Sequence, residues 1–109
     1  MNFCKLSAII QVGRVDLVEK KLTELGVTGY TKMSVSGVGE YSNTFVAGGV
    51  CTHVRFEIYI QESRAHAVME GIMEAAHTGS EGDGIVVLSP VNEIYRIRTQ
   101  RKCHAEETC

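Results

Sequence analysis

The sequence predicts an α+β fold in the order βαββαβ, an antiparallel sheet covered on one face by two helices. Three observations lead there. Two segments carry apolar residues at helical spacing: Val18, Leu22 and Leu25 in one, Val68, Ile72 and Ala75 in the other. Val54, Phe56, Ile58 and Ile60 alternate with Arg55, Glu57, Tyr59 and Gln61, as in a half-buried strand. The 109-residue chain has a single Pro and no low-complexity run, so it reads as one ordered domain.

Each element follows from its residues. Residues 3–12 read as a central strand, because Ala8-Ile9-Ile10 is apolar on both faces. Gly13-Arg14-Val15 turns the chain, and Asp16 offers an N-cap or a first-turn acid to a helix over 15–25. Gly26 ends that helix at the C′ position. A second strand covers about 30–36 and is broken by Gly37-Val38-Gly39. Residues 40–52 are small and polar, and the segment exceeds the two to five residues usual in a hairpin connection, so it reads as a functional loop. After the alternating strand, Ser63 caps a helix that runs to about Ala76, with Met69 and Met73 as core filler. A strand at 85–88 and a last extended piece at 91–98 complete the order. This is the ferredoxin-like pattern.

Composition narrows the function classes. A formal net charge of -2 and a pI of about 6.1 argue against a broad nucleic-acid footprint. No apolar run approaches the roughly 20 residues of a membrane span. Met1-Asn2-Phe3-Cys4-Lys5 has no secretory pattern, so a cytoplasmic location is expected. The four cysteines form no CxxC pair, and no metal site is expected from their spacing. Cys4, in a strand, and Cys51, in a loop, read as free thiols. Cys103 and Cys109 bracket a polar tail; they either close it as a disulfide or stand as exposed thiols.

The chemistry concentrates in His77-Thr78-Gly79-Ser80-Glu81-Gly82-Asp83-Gly84. Glycines at 79, 82 and 84 let backbone N–H groups approach an anion closely. The same residues also read as a helix C-cap at Gly79 followed by a tight turn. Downstream, Arg96 and Arg98 stand two apart on the last extended piece and would share a face. A glycine cradle and an arginine pair suit phosphate. No Ser/His/Asp signature is present, and His53, His66, His77 and His104 are scattered, so no catalytic residue is assigned. The enzyme alternative is a slow nucleotide hydrolase using Glu40, Glu57 or Asp83 to position water or a metal. A divalent-metal-tolerance protein is a third option without an evident ligand pattern.

Thr78-Gly79-Ser80-Glu81-Gly82-Asp83-Gly84 and Arg96-Ile97-Arg98-Thr99 resemble the C-terminal signature of the PII signalling proteins, TGxxGDG followed by a strand and RIRT. Gly26-Val27-Thr28-Gly29-Tyr30-Thr31 and Ser36-Gly37-Val38-Gly39 resemble the matching upstream stretches. The resemblance covers most of residues 3–100. It implies a homotrimer in which residues 1–100 form the domain, 40–52 a shortened T-loop that docks on partners, and 101–109 a tail. It implies adenine nucleotides (ADP, AMP or ATP) in clefts between subunits. Gly82, Asp83, Gly84 and Ile85 would surround the phosphates, with Arg96 and Arg98 reaching them across the subunit boundary. Ser36, Gly37, Val38 and Gly39 would line the same cleft, and Thr31 and Glu57 would lie near the adenine or ribose.

Departures from the family pattern shape the expectation further. Ile85 stands where the family usually has Lys, which favours ADP or AMP over ATP. Tyr41 follows Gly39 too closely to be the family's modified loop tyrosine. His53 replaces a lysine tied to the 2-oxoglutarate response, and His53 with Arg55 become candidates for an anion such as bicarbonate. The cysteine-bracketed tail is similar to that of PII-like proteins of inorganic-carbon handling. That likeness implies a bicarbonate transporter or a carboxysome component as partner; a nitrogen-regulatory PII sensing ATP, ADP and 2-oxoglutarate is the alternative.

Overall fold

In the computed structural model of the chain, residues 2–38 and 51–104 are described. Strand β1 (Phe3–Gln11) leads through a short 3-10 turn into helix α1 (Val15–Glu24). Strands β2 (Thr31–Gly37) and β3 (Cys51–Gln61) follow, then α2 (Glu62–Ala76) and β4 (Gly84–Val91). The strand order is β2-β3-β1-β4, antiparallel throughout. The α+β, ferredoxin-like expectation therefore holds, with β1 central.

Register explains the core. Leu6 sits opposite Ile58 on one side and Leu88 on the other; Ala8 sits opposite Phe56 and Val86. With Ile10, this face of the sheet meets Val18 and Leu22 of α1 and Ala65, Val68 and Ile72 of α2. The other face carries Lys5, Ser7, Ile9, Arg55, Glu57 and Tyr59, since strand side chains alternate.

The helices end in ways their sequences foretell only in part. Gly26 takes φ +78, its N–H donates to Thr23 O, and Val27 N–H donates to Leu22 O at 2.9 Å. That bond pair is the Schellman motif, and glycine supplies the left-handed residue without strain. The helices then cap each other. Arg14, just before α1, donates to Ala75 O at 2.9 Å at the end of α2. Arg64, in the first turn of α2, donates to Leu25 O at 2.8 Å at the end of α1. Each cation lies on the negative end of the neighbouring helix.

Several expectations are corrected. Neither helix has a side-chain N-cap bond: Asp16 is a first-turn acid, and Ser63 lies inside α2, which begins one residue earlier. Met73 is 46% exposed and is not core filler, because the buried stripe of α2 runs through Ala65, Val68, Ile72 and Ala76. Cys51 and Thr52, expected in the loop, open β3, where they pair with Gly37 and Ser36. The expected strand at 85–88 extends to Val91, following β1 back to Phe3.

The extended piece at 91–98 is not one strand. Strand β5 (Tyr95–Arg96) pairs instead with β6 (Arg101–Lys102) in a separate hairpin. Gln100 takes φ 57, and its N–H bonds Arg96 O at 2.8 Å, closing the turn. Arg98 therefore sits in a turn, and the strand argument for a shared face with Arg96 fails. Cys4 is a free thiol. Cys103 is buried and disulfide-bonded. Gly39, the loop to residue 50 and the tail 105–109, with Cys109, lie outside the described residues.

Candidate ligand-binding site

The loop between α2 and β4 is organised by Asp83. Its carboxylate accepts from the N–H groups of Thr78 at 2.9 Å and Gly79 at 2.8 Å, and from the Thr78 hydroxyl. Gln11, at the end of β1, donates to Asp83 Oδ1 and to Ser80 Oγ, each at 3.1 Å. Desolvation works to raise the Asp83 pKa. The bonds from the Thr78 hydroxyl and the two N–H groups, with His77 nearby, outweigh it and lower the value to about 2. Asp83 thus consumes two N–H groups of the glycine stretch. Among the described residues, the loop N–H groups of Glu81 and Gly82 remain without a partner and are the donors left for an anion.

Gly79 is not a helix cap. Helix α2 stops at Ala76, His77 is extended, and Gly79 follows with φ +89 inside the loop. Gly84 has φ +105 and opens β4 hard against β1. Ile85 follows it, exposed, on the same face of the sheet as Ile9.

Topology gathers part of the expected site. The end of β2, with Ser36 and Gly37, and the loop with Gly82, Asp83 and Gly84 stand at the same end of the sheet. Val38 follows there, 62% exposed. Thr31 and Glu57 face each other in mid-sheet. Glu57 is held by Lys5 at 3.4 Å and Arg55 at 3.3 Å. Arg96 and Arg98 belong to the hairpin beyond the opposite end, where β4 finishes at Val91.

The two candidate anion residues do not form an open pair. His53 is buried, with Nε2 3.0 Å from Gly82 O. Arg55 Nη2 lies 2.9 Å from Met33 Sδ as well as against Glu57. Among the described residues no group of three or more metal-ligating side chains occurs.

Sequence reasoning missed Gln11, Arg14 and Arg64, because nothing local marks a polar side chain that works across the fold. It also missed a cleft lined by Val27, Thr28, Gly29, Tyr59, Gln61 and Arg64. Here Tyr30 anchors the chain: its ring lies 5.4 Å from Phe56, and its hydroxyl donates to Glu19 at 2.5 Å. That bond, then Lys32, lowers the Glu19 pKa; the same bond, then burial, raises that of Tyr30.

Known proteins resemble this chain in sequence and fold. Residues 3–101 match the family described as Nitrogen regulatory protein P-II. The chain is 33% identical over 105 residues to Nitrogen regulatory protein P-II of Azospirillum brasilense, covering 90% of this chain and 94% of that protein. It is 33% identical to the P-II homolog of rice, Oryza sativa, over 90% of this chain but 50% of the longer plant protein. The crystal structure of Arabidopsis thaliana PII bound to citrate aligns with a TM-score of 0.82 at 30% identity, over 97% of this chain and 92% of that one. With fold, loop and relatives in agreement, the chain belongs to the nitrogen regulatory protein P-II family, whose members are signal transducers and not enzymes.

Proposed function

We propose that the chain acts as a homotrimeric PII signalling protein that binds an adenine nucleotide between subunits. The phosphates lie on the loop at 78–84, and the arginine hairpin of a neighbouring subunit closes over them. One observation carries this reading: the two half-sites stand apart on a single chain. At roughly 3.3 Å per residue, β4 carries the chain about 23 Å from the glycine loop before the arginine hairpin begins. A second copy supplies the missing half. Guanidinium forks match phosphate oxygens, and backbone N–H groups complete the cradle.

Ile85 places an apolar side chain beside that cradle. A third phosphate gains no charge there, so ADP or AMP is favoured over ATP. Nucleotide in the cleft shifts the population of signalling states, and a target protein reads the result. The relatives' names favour nitrogen regulation as the process. The inorganic-carbon alternative, with a bicarbonate transporter or carboxysome component as target, rests on the tail and on the departures at Ile85 and His53. Bicarbonate at His53 and Arg55 would compete with bonds those side chains already make.

Calorimetry with ADP, AMP and ATP, alongside light scattering for the subunit count, tests the proposal. A monomer, or no nucleotide binding at millimolar concentration, overturns it. Adding 2-oxoglutarate or bicarbonate to the nucleotide titrations separates the nitrogen reading from the carbon one.

A further inference from the structure

We propose that His53 is a positioning residue for the phosphate-binding loop, its Nε2–H holding the Gly82 carbonyl so that the loop keeps its donors turned to the ligand. This rests on the reading above that the loop receives phosphate. His53 is 2% exposed, although the neighbouring side chains of its strand face, Arg55, Glu57 and Tyr59, are partly or well exposed. The loop itself lies over it. Nε2 stands 3.0 Å from Gly82 O. A carbonyl only accepts, so Nε2 carries the proton.

The peptide between Gly82 and Asp83 is held at its other end too: Asp83 N–H donates to Ser80 O at 3.2 Å. Tied at both ends, this peptide cannot rotate. A rotated one would bring the Gly82 carbonyl round towards the anion, and the oxygen end of a carbonyl dipole repels phosphate where an N–H attracts it. Gln11, opposite His53 across the sheet, fastens Ser80 and Asp83. The loop is thus held from two strands. The Gln11 bonds anchor its side chains, whereas the His53 bond orients its backbone. His53 serves the loop and leaves the ligand to the loop's N–H groups.

Three measurements decide this. In the unliganded wild-type protein, nitrogen-15 spectra of the imidazole should show the Nε2–H tautomer; the Nδ1–H tautomer overturns the proposal without any variant. Hydrogen exchange at the Asp83 N–H, which is bonded to Ser80 O, should rise about tenfold in His53→Leu, the loss expected for one hydrogen bond, and return near wild type in His53→Gln, which keeps a donor. Unchanged loop exchange in a folded His53→Leu overturns it. ADP affinity should fall about tenfold in His53→Leu while adenosine affinity holds, because only the phosphates touch the loop. Equal losses for both ligands overturn the positioning role. Absence of nucleotide binding by the wild-type protein overturns the ligand reading, and with it the phosphate role. The tautomer and the exchange rates decide the His53–Gly82 bond independently of that outcome.

Discussion

A β-carbon added to Gly84 would lie 1.8 Å from the carbonyl oxygen of Ile9. The loop re-enters the sheet through a gap that only glycine passes. Gly84→Ala meets that backbone oxygen and also strains a residue at φ +105. The left-handed strain alone costs about 1–3 kcal/mol, and the clash adds to it. Urea unfolding should show a loss of at least that size, whereas Gly79→Ala, with φ +89 but open space around it, should show only the strain. Equal losses for the two variants would contradict the close approach.

Asp83 predicts an acid-dependent loop. Its folded pKa, about 2, lies below the ordinary carboxylate value of roughly 3.9. The charged form is therefore the one the folded loop stabilises. That contribution is complete well above the unfolded value and disappears as pH falls through it towards the folded one. The melting temperature of the wild-type protein should exceed that of Asp83→Asn near neutral pH. The gap should narrow steadily between about pH 5 and pH 2. A gap independent of pH would show that the carboxylate's charge is not what ties Thr78 and Gly79.

The reciprocal arginines predict coupled helix ends. Arg14→Met and Arg64→Met each remove a cation from a helix C-terminus while keeping an unbranched apolar stem. Each should cost about 0.3–2 kcal/mol in denaturant unfolding, with Arg14, which makes two bonds to Ala75 O, at the upper end. Raising the salt concentration should shrink both effects. Losses indifferent to salt would assign the residues to packing alone.

Leu22 predicts the cost of opening the core. It is fully buried between α1 and the sheet, and its carbonyl accepts the last bond of the Schellman motif. Leu22→Ala should destabilise by about 2–5 kcal/mol, the range for a large-to-small change in a packed interior. Leu17→Ala on the exposed side of the same helix should fall within about 0.5 kcal/mol of wild type.

Arg98 stands in the turn of the hairpin, exposed and clear of the sheet. Arg98→Ala should weaken ADP binding by about 1.5–3 kcal/mol, the scale of a hydrogen bond to a charged group, without changing the melting temperature of the unliganded protein. Calorimetry and thermal unfolding of the same sample check both halves. Unchanged affinity would place the phosphates away from the hairpin.

The sheet, both helices and the Gly26 stop were legible in the chain because each rests on a local period or a local φ requirement. Val18 and Leu22, or Phe56 and Ile58, face the core by spacing alone. The split of the arginine stretch into a hairpin was not legible, because it depends on a left-handed Gln100 that no residue preference announces. Nor could spacing show that His53 would be covered by a loop 29 residues further on. The glycine loop was expected to be an anion cradle from its composition. Which of its N–H groups are spent on Asp83, and which remain, only the folded chain decided, since hydrogen-bond partners are chosen by distance in space. The sequence by itself determined the layers and the chemistry on offer. Tertiary structure decided the ends of the sheet at which that chemistry meets, because strand direction and register, set by burying Leu6, Ala8 and Ile10, place every loop.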